Sequence, residues 1–413
     1  MWDVSGQCCR AADRGHPCVL VGGGLASRCL RGRFEGDVAG FGKRVTVGTH
    51  RAVPAAETWT RVAPLLPLMG ITRVADLTCL DVVGIPVFQA VRPNGRTLSV
   101  SQGKGVTAEL ARVSAVMESI ETWHAEEAEP GPVEATVTEM APLLPYSVFD
   151  LPRPPRSVLS SATRLRWVAG RSVGGTEPVW LPQACVRLDS TDPGCWSPPV
   201  LSSNSNGLAS GNTLEEALLH GLYEVLERDA MARVGQDRAG FELDLTTVTG
   251  TSASLLERYA TAEVQVRVHD VTSVTGLPCY EALLWSPDLP VRFSGWGCHR
   301  DADVALTRAL TEAAQSRLTM VAGTRDDLPE DAYHWVSSRS RLRAPFPASR
   351  PARTFPLAVI GPSGLDEDLQ AVAERVVART AGGVFWVDLT RPEFGIPVVQ
   401  VVAPGLQILK DYR

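Results

Sequence analysis

The chain has 413 residues, 44% of them hydrophobic and 21% charged, the balance of a soluble globular protein with room for one large or two medium domains. A formal net charge of −6 argues against general nucleic-acid binding, and no apolar run approaches the roughly 18 residues that span a membrane. Nine cysteines, an odd number without a CxxC, make neither a zinc framework nor a disulfide scaffold and fit a reducing cytoplasm.

Residues 1–40 differ from the rest. They hold four of the nine cysteines and little periodicity, and are expected to form a poorly ordered N-terminal extension. The piece from Cys18 to Leu30 reads as strand, glycine loop and helix start, but a dinucleotide fingerprint would need glycine where Ser27 stands. Asp3 and Asp13 oppose a signal peptide. From Arg44 the texture is that of a folded domain, taken as residues 41–413, with a first helix expected between Pro54 and Leu68.

A repeat then appears. ADLTCLDVVGIPVFQAVRP (75–93), HDVTSVTGLPCYEALLW (269–285) and VDLTRPEFGIPVVQVVAP (387–404) each read Asp, Leu or Val, Thr, a short loop, Gly, Ile or Leu, Pro, then a strand. Glycine permits the turn, and proline at a strand's first residue forfeits no needed ladder bond. The spacing predicts pseudo-repeated strand–helix units in an α+β fold with mixed sheets.

After the first copy comes Gly103-Lys104-Gly105, at the entrance of a predicted helix, where a lysine between glycines can approach phosphate. It is no Walker loop, because the GxxxxGK[ST] spacing is missing. On that helix Ser114 precedes Glu118 by four residues and Glu121 by seven. In NSNGLASGNTLEEALLHGLYEVLERDA (204–230), His220 precedes Glu224 and Glu227 by the same steps; in TRALTEAAQSR, Arg308 precedes Glu312 and Gln315. Steps of four and three both approximate one turn, so each set lies on one helix face. One acidic pair alone is usually a solvated face. Three matched stripes are expected to gather around a shared anionic centre that needs cations, and Mg²⁺ carrying nucleotide phosphate is the natural occupant. Within the second set, the loop Asn204–Asn212 brings backbone N–H groups close to a ligand. Thr213 and Glu216 read as a reciprocal capping box on an amphipathic helix.

Residues 128–163, rich in Pro and Glu, read as a surface loop or linker, Val179–Asp189 as a strand, and residues 322–355 as a long loop.

GKG with SAVMESIE, then NSNGLASGNTLEEALLHGLYEVLERDA, RALTEAAQSR and DLTRPEFGIPVVQVVAPGL, in that order, resemble the YcaO family from about Arg44 onward. The resemblance implies a fold with its helices around a central ATP/Mg²⁺ site. It implies that ATP activates a peptide backbone amide by phosphorylating its oxygen, for attack by a Cys, Ser or Thr side chain, an amine or a sulfur donor. Carried over residue by residue, it assigns Ser114, Glu118 and Glu121, His220, Glu224 and Glu227, and Glu312 and Gln315 to nucleotide binding. Lys104 and Asn206 stand near phosphate or ribose, with Arg228 and Arg317 as further partners. Glu118, Glu121, Glu224, Glu227 and Glu312 are the implied Mg²⁺ ligands. The resemblance names no catalytic residue.

Azoline-forming members typically end in a proline-rich tail, whereas this chain ends QILKDYR. The stretch from HRAVPAAETW through SQGKG looks most like stand-alone members that work with a TfuA-type partner, whose product is usually a thioamide. The expectation is thioamidation of a ribosomally made peptide or protein in the cytoplasm, with a TfuA-like partner, no nucleic acid and no membrane; a homodimer stays open. Cys298, in GWGCHR, is the cysteine best placed as a persulfide carrier; its bland alternative is a small buried residue. Three alternatives remain: an azoline-forming cyclodehydratase, a non-catalytic nucleotide-binding scaffold, and a nucleotide-free Ca²⁺ protein.

Overall fold

The computed structural model describes residues 43–129, 131–191, 198–234, 240–273, 275–325, 345–346, 353–356, 364–380 and 382–409. The expected N-terminal extension, most of the loop at 322–355 and the last four residues lie outside them.

The repeat is real in three dimensions. Strands β1 (Arg44–Thr46) and β2 (Thr49–Arg51) form a hairpin, and α1 (Ala55–Val62) realises the expected first helix, continuing as a 3₁₀ turn through Met69. Then β3 (Arg73–Asp76), β4 (Val87–Val91) and β5 (Val100–Lys104) form an antiparallel meander that leads into α2 (Ala108–Glu126).

Next come β6 (Val133–Thr136), α3 (Val137–Met140), β7 (Arg164–Ser172) and β8 (Pro178–Pro182). The stretch at 128–163 is therefore more than a surface linker. β6 pairs with β7, and Val137, Met140, Val148 and Leu151 are buried under that sheet.

The short β9 (Leu208–Ser210) leads into α4 (Leu214–Val234). β10 (Phe241–Asp244) and α5 (Gly250–Thr261) precede the second meander, β11 (Gln265–Asp270), β12 (Cys279–Trp285) and β13 (Phe293–Cys298), which leads into α6 (Ala302–Ala322). β14 (Arg353–Thr354) adds parallel to β10, and α7 (Leu365–Thr380) packs with α4 in one apolar core. Finally β15 (Phe385–Asp388) pairs with β16 (Val398–Val402), and β16 with β9. The third repeat copy thus supplies the strands of the α4 unit, from the far end of the chain.

In all three copies the turn is built the same way. Asp76, Asp270 and Asp388 each accept from the N–H of the Thr two residues on, at 2.8, 3.0 and 2.9 Å. Those threonine hydroxyls accept from the N–H of Val87, Cys279 and Val398. Gly84, Gly276 and Gly395 sit at φ 68°, 68° and 62° with open space around a hypothetical Cβ, so it is the left-handed backbone that asks for glycine. Val87 pairs with Lys104, Cys279 with Cys298 and Val398 with Ser210. A helix begins four residues after each of those partners.

The helices lie flush on their strands. A Cβ on Gly103 would stand 1.9 Å from the Ala115 nitrogen of α2, and one on Gly297 2.1 Å from the Ala305 oxygen of α6. The glycines of the GKG turn therefore serve this helix–strand contact. Helix α4 is buried on nearly every side, Leu219, Leu222, Val225 and Leu226 included, where the sequence suggested an amphipathic helix.

Candidate active site

The three units interlock head to tail through the residues that end β5, β9 and β13. Lys104 Nζ reaches Glu312 Oε2 on α6 at 2.6 Å. Ser210 gives both its N–H (2.8 Å) and its hydroxyl (2.6 Å) to Glu121 Oε1 on α2. The Cys298 N–H donates to Glu227 Oε2 on α4 at 3.2 Å. Each strand end thus addresses a glutamate of the next unit's helix, and the cycle closes after three. The carboxylate stripes of α2, α4 and α6 face one another across this ring, as their spacing predicted.

Carboxylates crowd this ring. Glu118, Glu121, Glu224, Glu227 and Glu312 face the cations Lys104, Arg228 and Arg308. Arg228 lies 3.9 Å from Glu224, and Arg308 4.0 Å from Glu227. Burial pushes Glu121 up to about 8, with Glu118 and Glu224 adding to the rise against the Ser210 hydroxyl. Burial likewise lifts Glu224 to about 7, opposed by Arg228. Glu227 is raised by burial and by Glu312. At Glu312 burial also raises, but Lys104, Arg228 and Arg308 outweigh it and hold that carboxyl low. Crowded carboxylates that resist ionising are the signature of a site completed by a cation.

Among the described residues no three His, Cys, Asp or Glu side chains converge tightly enough to cage a metal by themselves. Carboxylates spread over three helices suit Mg²⁺, which is commonly held by one or two carboxylates together with phosphate oxygens. They do not suit a dedicated Ca²⁺ cage. Gln315 Oε1, one turn beyond Glu312, is buried without a partner, a further sign of a polar site with unmet hydrogen bonds.

The other expected residues divide. His220 lies among Arg51, Arg308, Lys104 and His299, and burial, then Arg51, holds its imidazole neutral, well below 6.5. Ser114 is half-buried, one turn before Glu118. Asn206 lines a cavity with Asn204, Val225 and Gln400, receives Gln400 Nε2 on its carbonyl, and carries an unpartnered Oδ1. Arg317 stands apart. Its guanidinium is occupied by Asp81 (2.9 Å), Ser286 (2.6 Å) and Asp288 (2.7 Å), an ion-pair network within the fold rather than a contact with the other expected site residues.

Sequence reasoning passed over Asn212, Glu216 and Arg308 as site residues. Thr213 does cap α4 by accepting from the Glu216 N–H at 3.2 Å. The Glu216 carboxylate does not complete the capping box, because it accepts from the Ala52 N–H at 2.8 Å and from Asn212 and pairs with Arg51. That contact brings the β1–β2 hairpin to the mouth of α4. Arg308 was visible as the residue that matches Ser114 and His220 in spacing.

The family model described as YcaO cyclodehydratase, ATP- and Mg²⁺-binding, matches residues 102–407. An uncharacterised protein of Mycobacterium tuberculosis H37Rv is 39% identical over 363 residues, 87% of this chain and 83% of its own. A protein in the tfuA 3′ region of Rhizobium leguminosarum bv. trifolii is 34% identical over 394 residues, 90% of this chain and 93% of its own. The Methanopyrus kandleri YcaO bound with AMPPCP and Mg²⁺ superposes with a TM-score of 0.66 at 28% identity, covering 88% of this chain and 94% of that one. With three quarters of its length matched by the family model, and the glutamate ring inside that match, the chain belongs to the YcaO family.

Proposed function

We propose that this protein uses ATP and Mg²⁺ to activate a backbone amide of a ribosomally made peptide or protein for attack by a sulfur nucleophile, giving a thioamide. The observation that carries the nucleotide part is the meeting of the α2, α4 and α6 carboxylates, where burial and neighbouring acids hold Glu121, Glu224 and Glu227 above their ordinary range beside Lys104, Arg228 and Arg308. An amide carbonyl is a poor electrophile because resonance stabilises it. Bound ATP·Mg²⁺ supplies the phosphoryl group that turns the amide oxygen into a leaving group. Glu118, Glu121, Glu224, Glu227 and Glu312 hold the cation. Lys104, Arg228 and Arg308 meet the phosphate charge. The Ser210 N–H and hydroxyl fix the Glu121 carboxylate in place. No glutamate is needed as a base for the phosphoryl step. A scaffold without catalysis would gain nothing from keeping these acids buried.

Thioamidation is favoured over cyclodehydration by the relative from the tfuA 3′ region, and a TfuA-like protein is the proposed partner. The cytoplasm, where ATP is abundant, is the proposed compartment; no described helix is long and apolar enough to cross a membrane. The second reading, an azoline-forming cyclodehydratase, has the family model's own description behind it.

Mass spectrometry decides between them. The protein with its TfuA-like partner, ATP·Mg²⁺, sulfide and its peptide substrate is expected to add about 16 Da per modified amide, with one ADP and one phosphate formed. Loss of about 18 Da without sulfide, at an amide next to Cys, Ser or Thr, would overturn the thioamide reading and leave the nucleotide site standing.

A further inference from the structure

Two cysteines stand beside this ring with no task in the chemistry above. Cys298 ends β13 at the position that Lys104 and Ser210 hold in the other two units. Those residues reach a glutamate with their side chains; Cys298 reaches Glu227 with its backbone N–H, leaving the thiol uncommitted to the carboxylate. Directly across the strand pair stands Cys279. Its N–H goes to Thr272 Oγ1, while that of Cys298 goes to Glu227. The two therefore form a non-hydrogen-bonded antiparallel pair, whose Cα atoms lie about 4.5 Å apart. That separation falls within the range a disulfide spans. Both residues are free thiols, each 1% exposed, in the apolar core that α4 shares with α7 and β16, and burial together with the neighbouring Cys298 thiol holds the Cys279 thiol well above its ordinary range. A dithiol that touches Glu227 through the backbone stands next to the place where the amide would be activated.

We propose that Cys298 carries the incoming sulfur as a persulfide and that Cys279 releases it to the substrate. The inference rests on the thioamide reading. A persulfide donor first passes its terminal sulfur to Cys298. That terminal sulfur then attacks the activated amide carbon, the C–O bond breaks, and phosphate leaves with the oxygen. The peptide is now joined to Cys298 through a C–S–S link. Cys279 attacks Cys298 Sγ; the S–S bond to the peptide breaks, and its electron pair departs with the peptide sulfur as the thioamide. The Cys279–Cys298 disulfide that forms has supplied the two electrons which reduce the transferred sulfur. An external dithiol reductant restores the pair.

The test uses the full chain and glutathione persulfide as the donor, and needs no peptide. Intact mass and peptide mapping are expected to show about 32 Da added at Cys298, the mass of one persulfide sulfur. On standing without reductant, the loaded protein should release hydrogen sulfide as Cys279 attacks Cys298, with one Cys279–Cys298 disulfide formed per sulfide. Cys279→Ser should hold the persulfide, with sulfide release slowed about tenfold or more. Cys298→Ser should take up no sulfur at Cys279. Absence of sulfur on Cys298 in the unsubstituted protein, or sulfide release from Cys279→Ser at the original rate, overturns the relay. Neither result touches the peptide assay, so failure of the relay and failure of the thioamide reading are read from separate measurements.

Discussion

Replacing Lys104 by Met removes a cation from the ring and strands its partner. Lys104 Nζ sits 2.6 Å from Glu312 Oε2, with side chains only 25% and 20% exposed. A hydrogen bond to a charged group at such burial is worth about 1.5–3 kcal/mol. The loss has a ceiling, because Glu312 can take a proton instead. From its ordinary 4.5 to an assay at about pH 7.5, neutralisation costs at most about 4 kcal/mol, and at pH 5 less than about 1 kcal/mol. The sign follows from the same fact. Glu312 is held below its ordinary value in the native protein, so its pair stabilises above the unfolded pKa and that stability fades as pH falls through the native one. The destabilisation by Lys104→Met, read from urea melts without nucleotide, should therefore be about 2 kcal/mol near pH 7.5 and shrink as pH falls below about 4.5 through the native value. ATP·Mg²⁺ affinity should weaken about tenfold to a hundredfold, since phosphate loses a cation. Destabilisation that stays equal from about pH 7.5 to well below about pH 4.5, or an unchanged Kd for ATP, would refute the pairing and its place in the site.

Glu118→Ala and Glu224→Ala should each abolish ATP turnover, by about a hundredfold or more, while circular dichroism stays native; full turnover in either would sink the shared-centre reading. Arg317→Met should act on stability alone, lowering it by about 3–5 kcal/mol by leaving buried Asp81 uncompensated, with ATP affinity intact wherever the protein remains folded. A large affinity loss in the folded variant would return Arg317 to the nucleotide site. Glu121 and Glu224, lifted to about 8 and about 7, bind protons more tightly folded than unfolded, so stability without nucleotide should fall as pH rises from about 4.5 to 8. The thermal shift produced by ATP·Mg²⁺ should grow over that range, as cation replaces proton; a pH-independent shift would contradict the site's charge balance.

What could be read from the chain was what local geometry encodes. Glutamates four and three residues apart share a helix face whatever surrounds the helix, so the stripes on α2, α4 and α6 were visible at once. The Asp-x-Thr and Gly-x-Pro punctuation was equally visible, because an aspartate accepting from the N–H two residues on is a local turn. Long-range partners left no such trace. That Arg317 pairs with Asp81, 236 residues away, had no local sign in the chain. The glycines of the GKG turn looked like room for a phosphate, whereas the occupant of that room is α2 itself. Nor could the third repeat copy be matched to a helix: β16 completes the unit of β9 and α4 through a pairing of Val398 with Ser210 across most of the C-terminal half of the chain.

That discontinuous unit bears on why the site and the fold are hard to separate. Had each repeat closed on itself, each helix would have found the partners of its glutamates on its own strands. Instead Glu121 depends on Ser210, Glu227 on Cys298 and Glu312 on Lys104, each from a different unit. No single unit holds a finished half of the site, and β9 is held in register only when β16 arrives from the end of the chain. The buried carboxylates oppose this closure while the cation is missing, because the ring brings them together before it neutralises them. A ligand that supplies two positive charges to the centre therefore stabilises all three interfaces at once, and nucleotide binding should raise the cooperativity of unfolding as well as its midpoint. Limited proteolysis in the loops flanking β9, with and without ATP·Mg²⁺, reads that coupling directly. Protection confined to α4, with β9 cleaved as fast as before, would show that the units respond separately.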